Sequence, residues 1–280
     1  MKSKIGKLFD KKYTSVILWI LIFVVLWEIG AAYVAATKRM PQNIMPDLSH
    51  IISSIFSSNK VSNGMTVTGL VLTSAKATIL RATIGFIIGA ISGFLLALIM
   101  KISGIFEKML FPYLMLIQLI PVLGLAPIVL AITGDINKSR IVIAAILSFY
   151  PIAANTLAGF KSVDKEKFEL MKTYAAKKST IYTKVLIPSA IPSFFTGAKI
   201  AAPMAITASF LVDTLQGDGG LGCILSQSLK HAISIDVFWV IVFFSAFLGI
   251  FSGVLMSWIE NIVSPEKRAI RKAKKMIGGN

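Results

Sequence analysis

Six apolar runs dominate the chain: Ser15 to Ala36, Ala77 to Met100, Leu110 to Ile132, Ile141 to Phe160, Phe194 to Leu215 and Val237 to Ile259. Each is close to the ~20 residues with which a helix crosses the apolar layer of a bilayer. In lipid a helix satisfies its own backbone hydrogen bonds, so runs of this length predict an all-α polytopic membrane protein with six transmembrane helices. Composition agrees, because 55% of the residues are hydrophobic and the mean hydropathy is +0.78, too apolar for a soluble chain with one core.

Lys and Arg outnumber Asp and Glu by 29 to 13. In a soluble protein this excess would point to nucleic acid, so the position of the charges decides its meaning. Six spans leave both termini on one side. With that side taken as cytoplasmic, 20 of the 29 basic residues fall inside and 7 outside, while Arg81 and Lys199 lie within spans. The positive-inside rule then fixes the orientation, and the excess reads as a topology signal and a contact for anionic membrane lipids, with no need of nucleic acid. The first run follows a basic segment but is too long for a signal-peptide core and lacks a clear cleavage site, so it reads as a retained span.

Between the fourth and fifth runs lies the one long polar stretch, Val163 to Pro192, with seven lysines from Lys161 to Lys184 flanking and filling it. Phe168, Met171 and Ala175 fall at helical spacing, and Ile181, Tyr182, Val185 and Leu186 make a second short period closed by Pro188 and Pro192. The pattern predicts two short amphipathic helices, the first from Lys165 to Lys177, held at a membrane face.

Several polar residues stand inside or beside the runs, where an ionisable or amide group is a functional candidate. Arg81 is placed either to contact an anionic solute or to snorkel outward. Gln118 and Asn155 are candidates for a solute pathway or for hydrogen bonds between helices, and Thr207 lies just beyond Pro203 in the fifth run. Glu28 is expected to reach water, and His50 to be a surface residue in the short amphipathic piece LSHIISSIFSS. Gly85, Gly89 and Gly93, at four-residue intervals, predict a close helix-packing face. Prolines 112, 121 and 127 predict interruption of the third span.

Gly217, Gly219 and Gly222 spell G-x-G-x-x-G, but no βαβ unit surrounds them, so a Gly-rich turn at the outer face is expected, with Asp213 and Asp218 at its mouth. A lone cysteine, Cys223, excludes an intrachain disulfide. No Walker A sequence, catalytic grouping, metal cluster or cofactor site is visible, so the chain reads as a transport subunit without an ATPase site rather than an enzyme. Such a pathway protein needs either a separate motor or an ion gradient, and the gradient-driven secondary transporter or channel is the alternative reading.

The polar stretch resembles the cytoplasmic loop of binding-protein-dependent ABC importer permeases, whose pattern reads Glu-Ala-Ala, three residues, Gly, nine residues, Ile-x-Leu-Pro. Glu169, Ala175, Val185, Ile187 and Pro188 occupy the Glu, Gly, Ile, Leu and Pro positions, and Leu170 and Met171 those of the alanines. Alanine at the glycine position leaves open whether the turn there is left-handed. TILRATIGFIIGAISGFLLALI and LVDTLQGDGGLGCIL are similar to segments of the subfamily that imports nitrate, sulfonates, taurine and a pyrimidine precursor of thiamine. The resemblance implies a type I ABC importer permease-like fold: a basic N-terminus (1–14), a first span (15–36), an extracytoplasmic loop with an interfacial helix (37–76), a five-span core (77–260) containing the coupling loop (163–192), and a basic tail (261–280). It implies an ABC ATPase subunit seated on the loop, with Phe168, Met171 and Ala175 as packing contacts, Glu169 as polar anchor, and Ile187 and Pro188 completing the motif. It also implies a second permease copy in a homodimer, and an extracytoplasmic solute-binding protein docking near Asp213 and Asp218.

Overall fold

The computed structural model describes residues 11–62, 64–216, 219–230 and 233–265; Asp218 and the basic tail beyond 265 lie outside the described residues. The described chain is helical apart from one short hairpin, β1 (Lys60–Ser62) with β2 (Met65–Thr66). In order the helices are α1 (Lys11–Thr37), α2 (Leu48–Phe56), α3 (Val67–Ile102), α4 (Gly104–Leu119), α5 (Val122–Thr133), α6 (Ile136–Lys161), α7 (Lys165–Thr173), α8 (Lys178–Ile181), α9 (Ile187–Gln216), α10 (Leu221–Leu229) and α11 (Ile235–Val263).

Five helical runs are long and apolar enough to cross a membrane: Thr14–Thr37, Val67–Ile102, Ile136–Lys161, Lys178–Leu215 and Ile235–Val263. The expected third span is broken, since α4 and α5 meet at 109°, and the pair makes the sixth span only if counted as one bent element. Pro121 accounts for the break. It forces Ile120 out of the helical region, to ψ 125°, and serves as the N-cap of α5. Two other spans outrun their expected limits, because helix α3 begins ten residues before Ala77 and α9 absorbs Pro188 and Pro192 instead of stopping at them.

By backbone contacts the chain divides into two compact units, one of residues 1–72 with 224–242, the other of 73–223 with 243–280. Within the first, Asp47 caps α2, its carboxylate accepting from the His50 backbone N–H and the Ser49 hydroxyl. The Ser49 hydrogen bond is the main cause that holds this carboxyl below its ordinary pKa. Glu28 accepts the Leu48 N–H at 3.0 Å, and Trp27 donates to the Pro46 carbonyl at 3.1 Å while meeting the Trp239 ring edge-on at 4.9 Å. His50 Nε2 lies 3.1 Å from Asp236 Oδ1. Glu28 and His50 thus hold the short helix in place.

Within the second unit, α3 lies on α6 through its glycines. A Cβ at Gly85, Gly89 or Gly93 would fall 2.5 Å from Ala144 Cβ, 2.6 Å from the Ala145 carbonyl and 2.8 Å from the Phe149 carbonyl respectively. Lipid gives helices no hydrophobic reason to associate, so backbone approach and dispersion must hold them. The α6–α9 pair follows the same rule, with Gly197 against the Pro151 carbonyl and Gly159 against Ser193. A buried cluster that includes Met100, Leu114, Phe160 and Leu186 joins the ends of α3, α4 and α6 to the start of the α9 run.

Candidate functional site

Helix α7 opens after Asp164 and lasts nine residues, four short of the expected Lys177. It ends because Ala175 takes φ 49°, the left-handed conformation, and is the single described non-glycine residue to do so. The backbone N–H groups of Ala175 and Ala176 return to the carbonyls of Lys172 and Met171, satisfying carbonyls that the helix leaves open. The turn that the motif assigns to glycine is therefore left-handed here, at the steric expense of an alanine Cβ.

After α8 the chain passes through a π-helical turn, Tyr182–Leu186, closed by the Ile187 N–H reaching back to the Tyr182 carbonyl. Pro188 has no N–H to give the Lys184 carbonyl, and one widened turn lets the helix continue into α9 across that gap. The loop is thus a helical hairpin set off from α6 by the short turn 162–164 and running into α9 without a break.

Phe168 faces the protein, packed on the cluster around Phe160 with the Lys101 ammonium 5.9 Å from its ring centre. Ile187 packs on the same cluster. Both are half-buried, so packing within the chain takes up part of their apolar surface. Met171 and Pro188 are half-buried, and Glu169 and Ala175 are exposed. The side chains that α7 offers outward are Leu170, 57% exposed, and Tyr174, 75% exposed. Sequence reasoning passed over this pair although its i, i+4 spacing marks a second apolar stripe on the side of α7 away from Phe168.

A second group of residues lies within the spans. Asp213 of α9, with no exposed surface, accepts the Thr78 hydroxyl at 2.7 Å and pairs with Arg140 of α6 at 2.8 Å and Arg81 of α3 at 3.3 Å. The Thr78 hydroxyl in turn accepts the Leu221 N–H at 2.9 Å, and Arg140 Nη2 donates to the Gly219 carbonyl. The glycines of the turn serve this network. Gly220 sits at φ 100°, and a Cβ there would fall 2.1 Å from Asp213 Oδ2. Buried charges persist where each is paired, so the cluster fixes α3, α6, α9 and the start of α10 to one another. Asp213 is consequently an internal anchor and not a surface docking residue, which corrects that expectation. Arg140, counted in sequence as an outer-loop cation, was missed. The available signal was its position on the same helical face as Ile143, Ala144 and Leu147. Lower on α9, Lys199 pairs with the nearly buried Glu260 of α11 at 2.6 Å, another pair that sequence reasoning did not join.

The remaining candidates do not converge. Asn155 donates to the Pro151 carbonyl at 2.7 Å and Thr207 to the Pro203 carbonyl at 3.0 Å, each within its own helix. Thr196 repeats the arrangement on Pro192 at 3.1 Å. Thr207 and Gln118 keep exposed surface, whereas Asn155 is half-buried.

A multi-pass bundle carrying a short helical hairpin between two tightly packed spans defines a membrane transport subunit. The sequence profile of the binding-protein-dependent transport system inner membrane component family matches residues 85–268, and the chain belongs to that family. It is 30% identical over 251 residues to the formylaminopyrimidine transport permease protein ThiX of Halalkalibacterium halodurans, covering 90% of this chain and 95% of that one. With the nitrate import permease protein NrtB of Synechococcus elongatus it shares 24% identity, over 92% of each chain. Among solved structures, the inward-facing MetNI methionine ABC transporter matches with a TM-score of 0.57 at 20% identity, covering 70% of this chain and 95% of that one. The fold is therefore that of a type I ABC importer permease, and membership of the family brings an ATPase and a solute-binding protein as partners.

Proposed function

We propose that this chain forms the solute pathway of an ATP-driven importer, and that a separate ATPase moves it through the 163–192 loop. One observation carries the reading: the α7–α8 hairpin, turned at the left-handed Ala175, runs without a break through the π-helical turn into α9 and rests through Phe168 on the cluster around Phe160 at the end of α6. A force on the hairpin tilts those two spans together, exposing the pathway to alternate sides. In this reading the ATPase site belongs to the separate subunit, as in the other permeases of the family.

The charge distribution supports an orientation with both termini and the hairpin in the cytoplasm. A second copy of the chain completes the pathway as a homodimer, and Gln118 and Thr207, which keep free surface, face it. Arg81 and Asn155, committed to contacts within the chain, shape the pathway wall from behind. Asp218 meets the solute-binding protein, and anionic lipids surround the lysine-rich side. The solute is a small one of the kind for which the relatives are named, such as a formylaminopyrimidine or nitrate, with sulfonates and taurine as further candidates.

The test is reconstitution of the chain with its co-purifying ATPase and solute-binding protein in vesicles. Uptake of one of these solutes that requires ATP and all three proteins supports the reading. Uptake by the chain alone under a proton or sodium gradient contradicts it.

A further inference from the structure

The loop between α1 and α3, extracytoplasmic in the orientation proposed above, closes with the start of α11 around an open cavity of about 410 Å³. That volume falls within the roughly 300–1,000 Å³ of ordinary small-molecule sites. Its polar lining is Gln42, Asn43, His50, Ser234 and Asp236, while Val61, Ile233 and Ile235 supply apolar surface, all within one compact unit of the chain. No lysine or arginine lines it, so Asp236 sets its sign. Two side chains position that carboxylate: His50 Nε2 lies 3.1 Å from Oδ1, and the Ser234 hydroxyl donates to Oδ2 at 3.3 Å. A carboxylate has about four acceptor sites, so each oxygen keeps a lone pair for a further donor. The Gln42 carboxamide has no hydrogen-bond partner among the described residues, and that of Asn43 reaches only the Met40 sulfur, at 3.7 Å. A second cavity, of about 300 Å³, shares Gln42 and is lined by Glu28 and Asp47, again with no basic residue.

We infer that the larger cavity is a solute site, and that it takes an amino-substituted nitrogen heterocycle of the aminopyrimidine class in preference to an oxyanion. The inference rests on the proposed function and chooses among the solute classes considered there. Such a ring carries an exocyclic amine that donates and, beside it, a ring nitrogen that accepts. Asp236 takes the amine, and a carboxamide, which both donates and accepts, completes the mixed edge from Gln42 or Asn43. The branched aliphatic side chains of Val61, Ile233 and Ile235 offer a flat ring an apolar wall. Nitrate and sulfonate groups present acceptors alone and bring negative charge toward Asp236, with Glu28 and Asp47 in the adjoining cavity. Repulsion therefore rejects the oxyanion while the paired edge selects the heterocycle. A basic side chain of the solute-binding protein would also be drawn to Asp236, but it uses neither the acceptors and donors of both carboxamides nor the apolar wall, so the lining as a whole fits the solute.

The experiment uses the full chain with its co-purifying ATPase in nanodiscs, and isotopically labelled 4-amino-2-methylpyrimidine as the probe. Saturable binding below about 1 mM is expected, with no competition from nitrate or methanesulfonate at the same concentration. Asp236→Asn is expected to weaken binding about tenfold or more, because a hydrogen bond to a charged group is lost. That variant also disturbs the contact with His50, so Gln42→Leu gives an independent reading. The Gln42 side chain bonds to nothing within the described chain, so its loss leaves the fold intact, and affinity should fall about three- to tenfold. Affinity unchanged in either variant overturns the inference, as does the absence of saturable binding or competition by nitrate as strong as that of the pyrimidine. Variants that keep the pyrimidine but release the solute-binding protein assign the cavity to that partner and also overturn it. ATP-driven uptake in vesicles reads the proposed function separately. Uptake of nitrate or a sulfonate with no pyrimidine bound removes only the solute assignment; pyrimidine bound with no ATP-dependent uptake of any solute removes the importer while the binding site stands.

Discussion

Replacing Ala175 by glycine is expected to stabilise the hairpin. At φ 49° the alanine Cβ crowds the following carbonyl, which costs an L-residue roughly 1–2 kcal/mol in the left-handed region. Glycine removes that term but gives up roughly 0.5–1 kcal/mol more backbone entropy on ordering. The difference leaves a net gain of about 0.5–1 kcal/mol, localised to the C-terminal turn of α7. Nothing else should change, because Ala175 is exposed and its side chain is small. Hydrogen exchange reads this directly. The amides of Ala175 and Ala176, which bond back to Lys172 and Met171, should exchange about two- to fivefold more slowly in Ala175→Gly, since 1.4 kcal/mol corresponds to about tenfold. Ala175→Val should speed the same amides, as a β-branched side chain is worse in this region. Amides of α6 around Ile143 should not respond to either change. Equal or faster exchange in the glycine variant would show that the turn is not left-handed and would remove the reason given for where α7 ends.

Other consequences follow from the packing and the buried charges. Asp213→Asn should destabilise the protein by about 3–5 kcal/mol in thermal unfolding, because Arg140, with no exposed surface, loses its counter-charge; adding Arg140→Met should recover much of that loss. Gly89→Val should reduce the yield of folded protein sharply, since its Cβ would stand 2.6 Å from the Ala145 carbonyl and 2.7 Å from Ser148 Cβ, and both partners are on a helix that cannot yield locally. Asp47→Ala should loosen α2 by about 1 kcal/mol, seen as faster exchange of the His50 amide. Because the folded-state pKa of Asp47 is depressed, its contribution should be present at neutral pH and lost only as the pH falls below the ordinary aspartate value of about 3.9.

Periodicity and length made much of the fold legible, for physical reasons that can be named. The apolar runs located every span, and the four-residue glycine spacing located the α3 face, because both signals depend only on local sequence. The limits of elements were less legible. Prolines read as terminators at 188 and 192 lie within a continuous helical run: the π-helical turn accommodates the first, and the second stands inside α9. Pro121 did break its span, because it holds Ile120, the residue before it, extended at ψ 125°. Long-range charge pairing was the least legible part. Asp213 and Arg140 are 73 residues apart in sequence, and the polar neighbours of each suggest a loop; only the folded chain brings them together out of water. On the hairpin the motif spacing located the turn, but an alanine there left its handedness to the structure. Which apolar stripe faces outward was likewise decided by tertiary packing, with Phe168 drawn in under Lys101.

The central claim is that an ATPase drives this chain through the hairpin, and a disulfide trap tests it most directly. With Cys223→Ser removing the lone native thiol, a cysteine placed by Leu170→Cys should, under a mild added oxidant, form a disulfide with a cysteine introduced on the surface of the co-purifying ATPase, and hydrolysable ATP should alter the yield in step with solute uptake in vesicles. Uptake that proceeds at the wild-type rate while the hairpin is never trapped against an ATPase, or that persists on an ion gradient with no ATPase present, would contradict it.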